Sequence, residues 1–430
     1  MIFTKDLYNI FLQHPVITTD SRKIPEKSLF FALKGESFNG NDFALEAIQK
    51  GAAHSIVDED KYETSPSCIV VEDVLYTLQE LAKYHRQQFD IPVIAITGTN
   101  GKTTTKELTR EVLATTYRVL ATEGNLNNHI GVPLTLLRLK PEIDIAIIEM
   151  GANHQGEIEF LSSITQPTHG IITNIGKAHL EGFGGFEGVI KTKTELYNYL
   201  RKAGGTAFIN SDNALLTKHS KGITTIKYGT DGNIPLQGKY LPKNIFVSAE
   251  IQFQDALLIV NSRLFGKYNL ENILASASIG QYFQVPPEKI KTAIEAYNPV
   301  NNRSQIKKTA KNLLILDAYN ANPSSMQLAI LHFASTPYHE KSVIIGDMLE
   351  LGDESDDEHL NLIKLLTTQR FKRIYLVGPI LTRLCTETKW LCFQDSDLAA
   401  MWFDHHKLEG ETILIKGSRG IRLEKLVDML

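Results

Sequence analysis

Short runs of β-branched and other apolar residues alternate with amphipathic stretches along the whole chain, the pattern of strands and helices taking turns in an α/β protein. Up to about residue 90, apolar runs at 28–32 and 68–71 predict strands, and the apolar spacing over 74–88 predicts a helix. Pro92 opens a second stretch with strands at 93–97, 118–121, 143–148, 170–173 and 206–209, helical spacing lying between most of them. After Tyr297-Asn298-Pro299 a third stretch carries strands at 313–316, 342–345, 374–377 and 413–415, a second doubly wound sheet. Three domains are expected for a chain of 430 residues: 1–90, 91–298 and 299–430.

Parallel sheets bind ligands beyond the carboxyl ends of their strands, so the residues at those ends carry the chemistry. Here they are Gly98, Glu149, Asn174, Asp317, Gly346-Asp347 and Lys416-Gly417-Ser418-Arg419, a mixture suited to phosphates, metals and carboxylates. The most informative is IPVIAITGTNGKTTT, residues 91–105, in which an apolar strand stops at a glycine turn that opens a helix. Gly98 and Gly101 let Thr99, Asn100 and their neighbours turn backbone N–H groups toward a polyphosphate. Lys102 reaches the β and γ oxygens, and the Thr103 hydroxyl, followed by Thr104, suits Mg²⁺. The longer P-loop pattern wants a glycine where this chain has Ile96, so the motif is the shorter Gly-x-x-Gly-Lys-Thr form.

Charge narrows the picture. A net charge of −4 from 45 basic and 49 acidic residues leaves no electrostatic footprint for nucleic acid or an anionic membrane. The start lacks the pattern of a signal peptide and no apolar run is long enough to span a bilayer, so a cytoplasmic monomer with no membrane insertion is expected. Cys68, Cys385 and Cys392 form no CxxC pair, which argues against a zinc site or a disulfide framework.

Glu149 ends the apolar run IDIAIIEM, where packing explains an acid poorly and a magnesium shared with Thr103 explains it well. The glycine-rich segment after Asn174 holds His179, and the helix behind it holds Lys191 and Lys193; spacing alone does not choose among them. An ammonium about 4 Å from a divalent cation is repelled by roughly 8 kcal/mol at an effective dielectric of ~20, so a lysine there must point away or become an anion such as a carbamate. Asn269 and Asn272 share a helix face with amides suited to an adenine edge, although capping also suits Asn269. Arg303 in NNRSQ is a candidate γ-phosphate clamp, and Asp317 with the turn Tyr319-Asn320-Ala321-Asn322-Pro323 follows a buried strand.

Together TDSRKIPEKSLFFALKGESFNGNDF, TGTNGKTTT, EGNLNNHIGVPLTLL, IIEMGANHQGEI, NIGKAHLEGFGGFEGVIKTK, GKYNLENILA, LDAYNANPSSM, IIGDMLELGDES and LIKGSRGIRLE resemble the Mur ligase family over almost the whole chain. Of these, YNANPSSM, GDMLELG and KGSRGIRLE favour the members that add D-alanyl-D-alanine to UDP-N-acetylmuramoyl-tripeptide over a sibling or folylpolyglutamate-type ligase, and the DNPR-like motif of the diaminopimelate- or lysine-adding siblings is missing. The resemblance implies an N-terminal uridine-nucleotide domain, a central P-loop ATPase domain and a Rossmann-like C-terminal domain for the amine substrate. It also implies ATP and two Mg²⁺ ions, an acyl-phosphate intermediate and small-molecule substrates. By motif, Lys102, Glu149, His179 and Lys193 become the catalytic set, with Thr103 and Glu149 on the first metal, His179 on the second and Lys193 carbamylated. Asn269, Asn272, Arg303 and Asp317 fall to ATP. Ser21, Arg22 and the 34–41 loop fall to the uridine nucleotide, Asn127 to the substrate, and Tyr319, Asn320 and Asn322 to the dipeptide. Lys267, the NNR stretch and Asn39-Gly40-Asn41 depart from the common pattern without removing a catalytic group.

Overall fold

The computed structural model describes residues 4–178, 180–242, 245–300 and 302–430, and His179 lies outside them. Three main sheets follow one another along the chain. The first is parallel, with Ile17–Thr18, Leu29–Phe31, His54–Val57 and Cys68–Val70 side by side in that order. The second has nine strands among the described residues. Val93–Thr97 lies inside it, third from one edge, between Ile145–Glu149 and His169–Ile172, with parallel pairing that aligns Ile96 with Glu149 and Thr97 with Ile172. The third runs Gln305–Lys308, Leu313–Leu316, Thr412–Lys416, Lys341–Gly346, Arg373–Val377 and Leu391–Phe393, parallel except for the antiparallel first strand. This is the expected three-domain α/β architecture.

The strands legible in the sequence are those buried on both faces, such as Val93–Thr97 and Ile145–Glu149, where every residue is buried. Most of those it did not reveal sit toward the margins, His54–Val57 inside the first sheet being the exception. Thr224–Gly229, Leu236–Leu241, Phe246–Gln252 and Leu257–Phe265 extend the central sheet, the last two through antiparallel pairing. In Leu257–Phe265 exposed and buried positions alternate, so no continuous apolar run marks it. Ile17–Thr18 and Leu391–Phe393 are too short to leave a periodic signal.

Helix Val74–Arg86 opens on Asp73, whose side chain accepts from the Tyr76 N–H. Val74, Leu78, Leu81 and Ala82 join the same core as Val132, Leu136 and Leu161 of the central domain. Polar contacts seal the seam: Arg86 donates to the carbonyls of Thr165 and Gln166, and Gln79 to that of His129. The first two domains are therefore packed as one body. The third keeps two cores of its own on the two faces of its sheet, joined from the central domain by Ile245 and Phe265.

Candidate active site

The strand-to-helix turn at 98–101 needs glycine at both ends. Gly98 has φ +139° and a Cβ there would stand 2.0 Å from Thr173 Oγ1; Gly101 has φ +79° and would meet Asn272 Oδ1 at 2.4 Å. Helix Lys102–Ala114 starts at once after Gly101, which leaves its first N–H groups and positive dipole end facing the turn. Asn174, at the end of the neighbouring strand, splints the turn: its Oδ1 accepts from Asn100 N–H at 2.9 Å and its Nδ2 donates to Asn100 O at 3.0 Å. Thr99 N–H donates to Asn174 O and the Thr173 hydroxyl to Asn100 O. In the sequence Asn174 is only a strand end, with no role of its own. Adjacency to the Val93–Thr97 strand, visible only in the sheet order, supplies one.

Lys102 Nζ is held by the turn's own carbonyls, Gly98 O at 2.9 Å and Thr99 O at 3.0 Å. Burial pushes its ammonium below the usual lysine value; Glu149 opposes that shift and the Arg303 charge adds to it. Glu149 is 1% exposed. Its Oε1 accepts from the Thr103 hydroxyl at 3.2 Å and from Asn127 Nδ2 at 2.8 Å, while Oε2, also buried, has no hydrogen-bond partner among the described residues. A buried carboxylate oxygen left without a donor beside a threonine hydroxyl fits a hard divalent cation. Asn127, expected among the substrate residues, donates here to Glu149 and so supports its carboxylate.

Lys193 lies on helix Phe186–Ala203, is 3% exposed, and has its Nζ 5.1 Å from the centre of the Phe183 ring. Burial, helped by the Lys102 charge, pulls its pKa down to about 7. Lys191, on the same helix, is exposed. Two residues on, Glu195 accepts from the N–H groups of Gly156 and Glu159 and so ties this helix to the start of helix Glu157–Thr165.

Asn269 and Asn272 are buried at the helix mouth behind Gly101. Asn272 Nδ2 donates to Asn269 Oδ1 at 2.8 Å, and Asn272 Oδ1 accepts from Thr105 Oγ1 at 3.1 Å. Asn269 Nδ2 donates to Phe265 O and to Ser304 Oγ at 3.2 Å. Ser304 N–H in turn donates to Asp317 Oδ1 at 3.1 Å, and Lys416 Nζ to Asp317 Oδ2 at 2.6 Å. A continuous polar chain thus runs from the first turns of helix Lys102–Ala114 into the third domain.

That domain meets the turn directly. Pro323–Ser335 is a helix with Asn322 as its cap in a reciprocal capping box with Ser325. Asn322 Nδ2 also donates to Asn100 Oδ1 at 2.8 Å. Lys177 reinforces the approach, its N–H donating to Ser324 Oγ and its Nζ pairing with Glu358 at 2.7 Å. Tyr319 lies between Arg303 and Arg419, and Asn320 is exposed on the same turn. In the first domain, Ser21 accepts through its carbonyl from Lys50, and Arg22, exposed, forks onto Asp20.

Asp347, which the strand-end reading grouped with the chemical residues, is fully buried and accepts from the N–H groups of Ile380 and Leu381, capping helix Pro379–Leu384. Its neighbour His359 accepts from Met348 N–H and donates through Nδ1 to Ser355 O. Both residues serve the third domain's own loops.

Sequence profiles place this arrangement among known proteins. Residues 15–93 match the profile described as Mur ligase family, catalytic domain; 96–280 match the Mur ligase middle domain; 302–419 match the Mur ligase glutamate ligase domain. The chain is 34% identical to the UDP-N-acetylmuramoyl-tripeptide–D-alanyl-D-alanine ligase of Bacillus subtilis, over 96% of this chain and 92% of that one. Among solved structures, MurF from Acinetobacter baumannii superposes with a TM-score of 0.86 at 32% identity, covering 96% of this chain and 92% of that one. MurF from Thermotoga maritima in complex with ADP superposes with a TM-score of 0.85 at 28% identity, covering 96% of each chain.

Proposed function

The chain belongs to the Mur ligase family, and on that premise we propose that it joins D-alanyl-D-alanine to UDP-N-acetylmuramoyl-tripeptide at the expense of ATP, in the cytoplasm. The observation that carries this reading is the pairing of an ATP turn with the YNANPSSM turn across the 2.8 Å Asn322–Asn100 bond, within a chain similar end to end to ligases of that name.

The reaction runs in two displacements. The tripeptide carboxylate attacks the γ-phosphorus, giving an acyl phosphate and ADP; the dipeptide amine then attacks the acyl carbon, and the tetrahedral intermediate collapses to amide and phosphate as the amine loses its proton. Chemistry of this kind is mostly positioning and charge neutralisation. The N–H groups of the 98–104 turn and the Lys102 ammonium orient the polyphosphate, and Arg303 completes the cationic wall. Asn269 and Asn272 flank the adenine. Asp317, which keeps lone pairs beyond its two present partners, accepts from the ribose. Ser21, Arg22 and the 34–41 loop hold the uridine nucleotide, and Asn320 and Asn322 border the dipeptide.

Thr103 and Glu149 would hold one magnesium, and His179 with Lys193 as its carbamate would hold a second; Mg²⁺ bound there would neutralise the charge of the polyphosphate. Support for the carbamate comes from the lowered pKa of Lys193: near pH 7 much of its amine is neutral and nucleophilic. Addition to CO₂ forms the N–C bond, releases one proton and converts a repelled cation into an oxygen ligand.

Incubation with ATP, Mg²⁺, D-Ala-D-Ala and either the diaminopimelate or the lysine tripeptide nucleotide tests the reading. A product heavier than the tripeptide nucleotide by one dehydrated dipeptide supports it. Phosphate release in response to glutamate, with none to D-Ala-D-Ala, overturns it in favour of a sibling or folylpolyglutamate-type ligase.

A further inference from the structure

Arg303 sits in an unusual backbone setting. Both its neighbours are non-glycine residues in the left-handed region, Asn302 at φ +55° and Ser304 at φ +49°. Such residues are strained, and a pair of them flanking one side chain persists only when the surroundings hold the segment in place. The surroundings do so here. Ser304 N–H is fixed by Asp317, Ser304 Oγ accepts from Asn269, and Asn302 contributes its N–H to Gln305 Oε1 and its carbonyl to Tyr319 N–H. Asp317 is itself pinned by the buried Lys416. What this frame presents is one guanidinium, and its Cζ rests 3.5 Å from the centre of the Tyr319 ring. Arg419 flanks the same ring at 5.3 Å and donates from Nη1 to the Tyr319 hydroxyl at 3.4 Å.

A long arginine side chain loses much rotamer freedom when fixed, and a face-on aromatic ring fixes it without taking up its N–H donors. Among the described residues no acceptor takes up the N–H fork of Arg303, so it can meet an anion while its direction is set from behind. The polar chain from Thr105 through Asn272, Asn269 and Ser304 ties that direction to the phosphate turn. The influence of the Arg303 charge on Lys102 agrees with that approach.

We infer that Tyr319 is a positioning residue for the first displacement: its ring, in the frame built by Asn302, Ser304 and Asp317, aims Arg303 at the terminal phosphoryl group held over the 98–104 turn. This rests on the nucleotide reading of that turn. It assigns Tyr319 to the ATP half of the reaction, and its distinguishing consequence is a preference for nucleoside triphosphate over diphosphate that depends on the aromatic face.

The test measures binding of ADP and of a non-hydrolysable ATP analogue to the full chain, alongside kcat and KM for each substrate. Tyr319→Phe is expected to behave like the parent within about twofold. Tyr319→Leu should lose about tenfold in triphosphate affinity and in kcat, the size of a partly desolvated cation–π contact, with ADP affinity and KM for D-Ala-D-Ala unchanged. Combined with Arg303→Lys it should add little to the single loss. Because Tyr319→Leu could disturb the turn, phenylalanine analogues with increasing ring fluorination at 319 keep the shape and weaken only the ring's negative face; triphosphate preference should fall stepwise along the series. A flat series, additive losses in the double variant, or a rise confined to KM for D-Ala-D-Ala overturns the inference. The binding readout needs no product, so a chain that makes no pentapeptide yet shows the fluorination trend refutes the proposed substrates and leaves this role of Tyr319 standing.

Discussion

Asn322 of the third domain donates to Asn100 of the 98–101 turn across 2.8 Å, while its Oδ1 accepts from Ser325 N–H and caps the helix behind it. One amide thus does two jobs with its two ends. The cap needs only the oxygen; the contact between domains needs the N–H₂ group.

Asn322→Asp separates the two. The carboxylate still caps the helix and faces its positive end, so the thermal midpoint should stay within about 2 °C of the parent. Against Asn100 Oδ1 it offers an acceptor to an acceptor, and kcat should fall about tenfold. Calorimetry and steady-state kinetics check the pair. An unchanged kcat would remove this contact from the working arrangement.

Glu149→Gln keeps an acceptor for Thr103 and Asn127 but gives up a buried charge whose second oxygen has no partner among the described residues. Ligase activity should fall by about 100-fold or more, while the unfolding midpoint in metal-free buffer stays or rises. The upward shift in midpoint that Mg²⁺ with nucleotide gives the parent should shrink. A variant that still gains the full shift would take the metal away from Glu149.

Lys193→Ala should abolish activity, with partial rescue by added short carboxylates standing in for the carbamate. Bicarbonate labelled with carbon-13 should give the parent a carbamate resonance that Lys193→Ala lacks. The neutral amine should be half formed near pH 7, well below an ordinary lysine, because burial disfavours the ammonium. High activity in the unrescued variant would count against the carbamate.

His169 opens the strand beside the phosphate strand, its ring among Phe208, Tyr282 and Phe283, and burial pulls its pKa down to about 4. The folded histidine stays neutral while the unfolded one takes a proton below about pH 6.5. Stability from this site is therefore fully present above pH 6.5 and is lost as pH falls from there to about 4, by roughly 3 kcal/mol in all. Denaturant midpoints of His169→Gln against pH should show a shallower acid limb than the parent; parallel limbs would contradict the shift.

The sequence by itself determined the alternation of strands and helices, the glycine turn at 98–101 and the polar residues at strand ends. These rest on local physics: buried parallel strands are continuous apolar runs, and only glycine fits at 98 and 101. The Thr103–Glu149 pairing was legible too, because both residues end or follow strands that such a sheet sets side by side. Tertiary structure alone decided the rest. Asn174 became the splint of the turn through sheet order, Asn127 the support of Glu149, and Lys193 rather than Lys191 the buried amine through which side of its helix faces the core. The chain from Thr105 to Lys416 links residues 311 positions apart through short polar groups. No periodicity encodes such a path, since each bond depends on where two distant backbones come to rest.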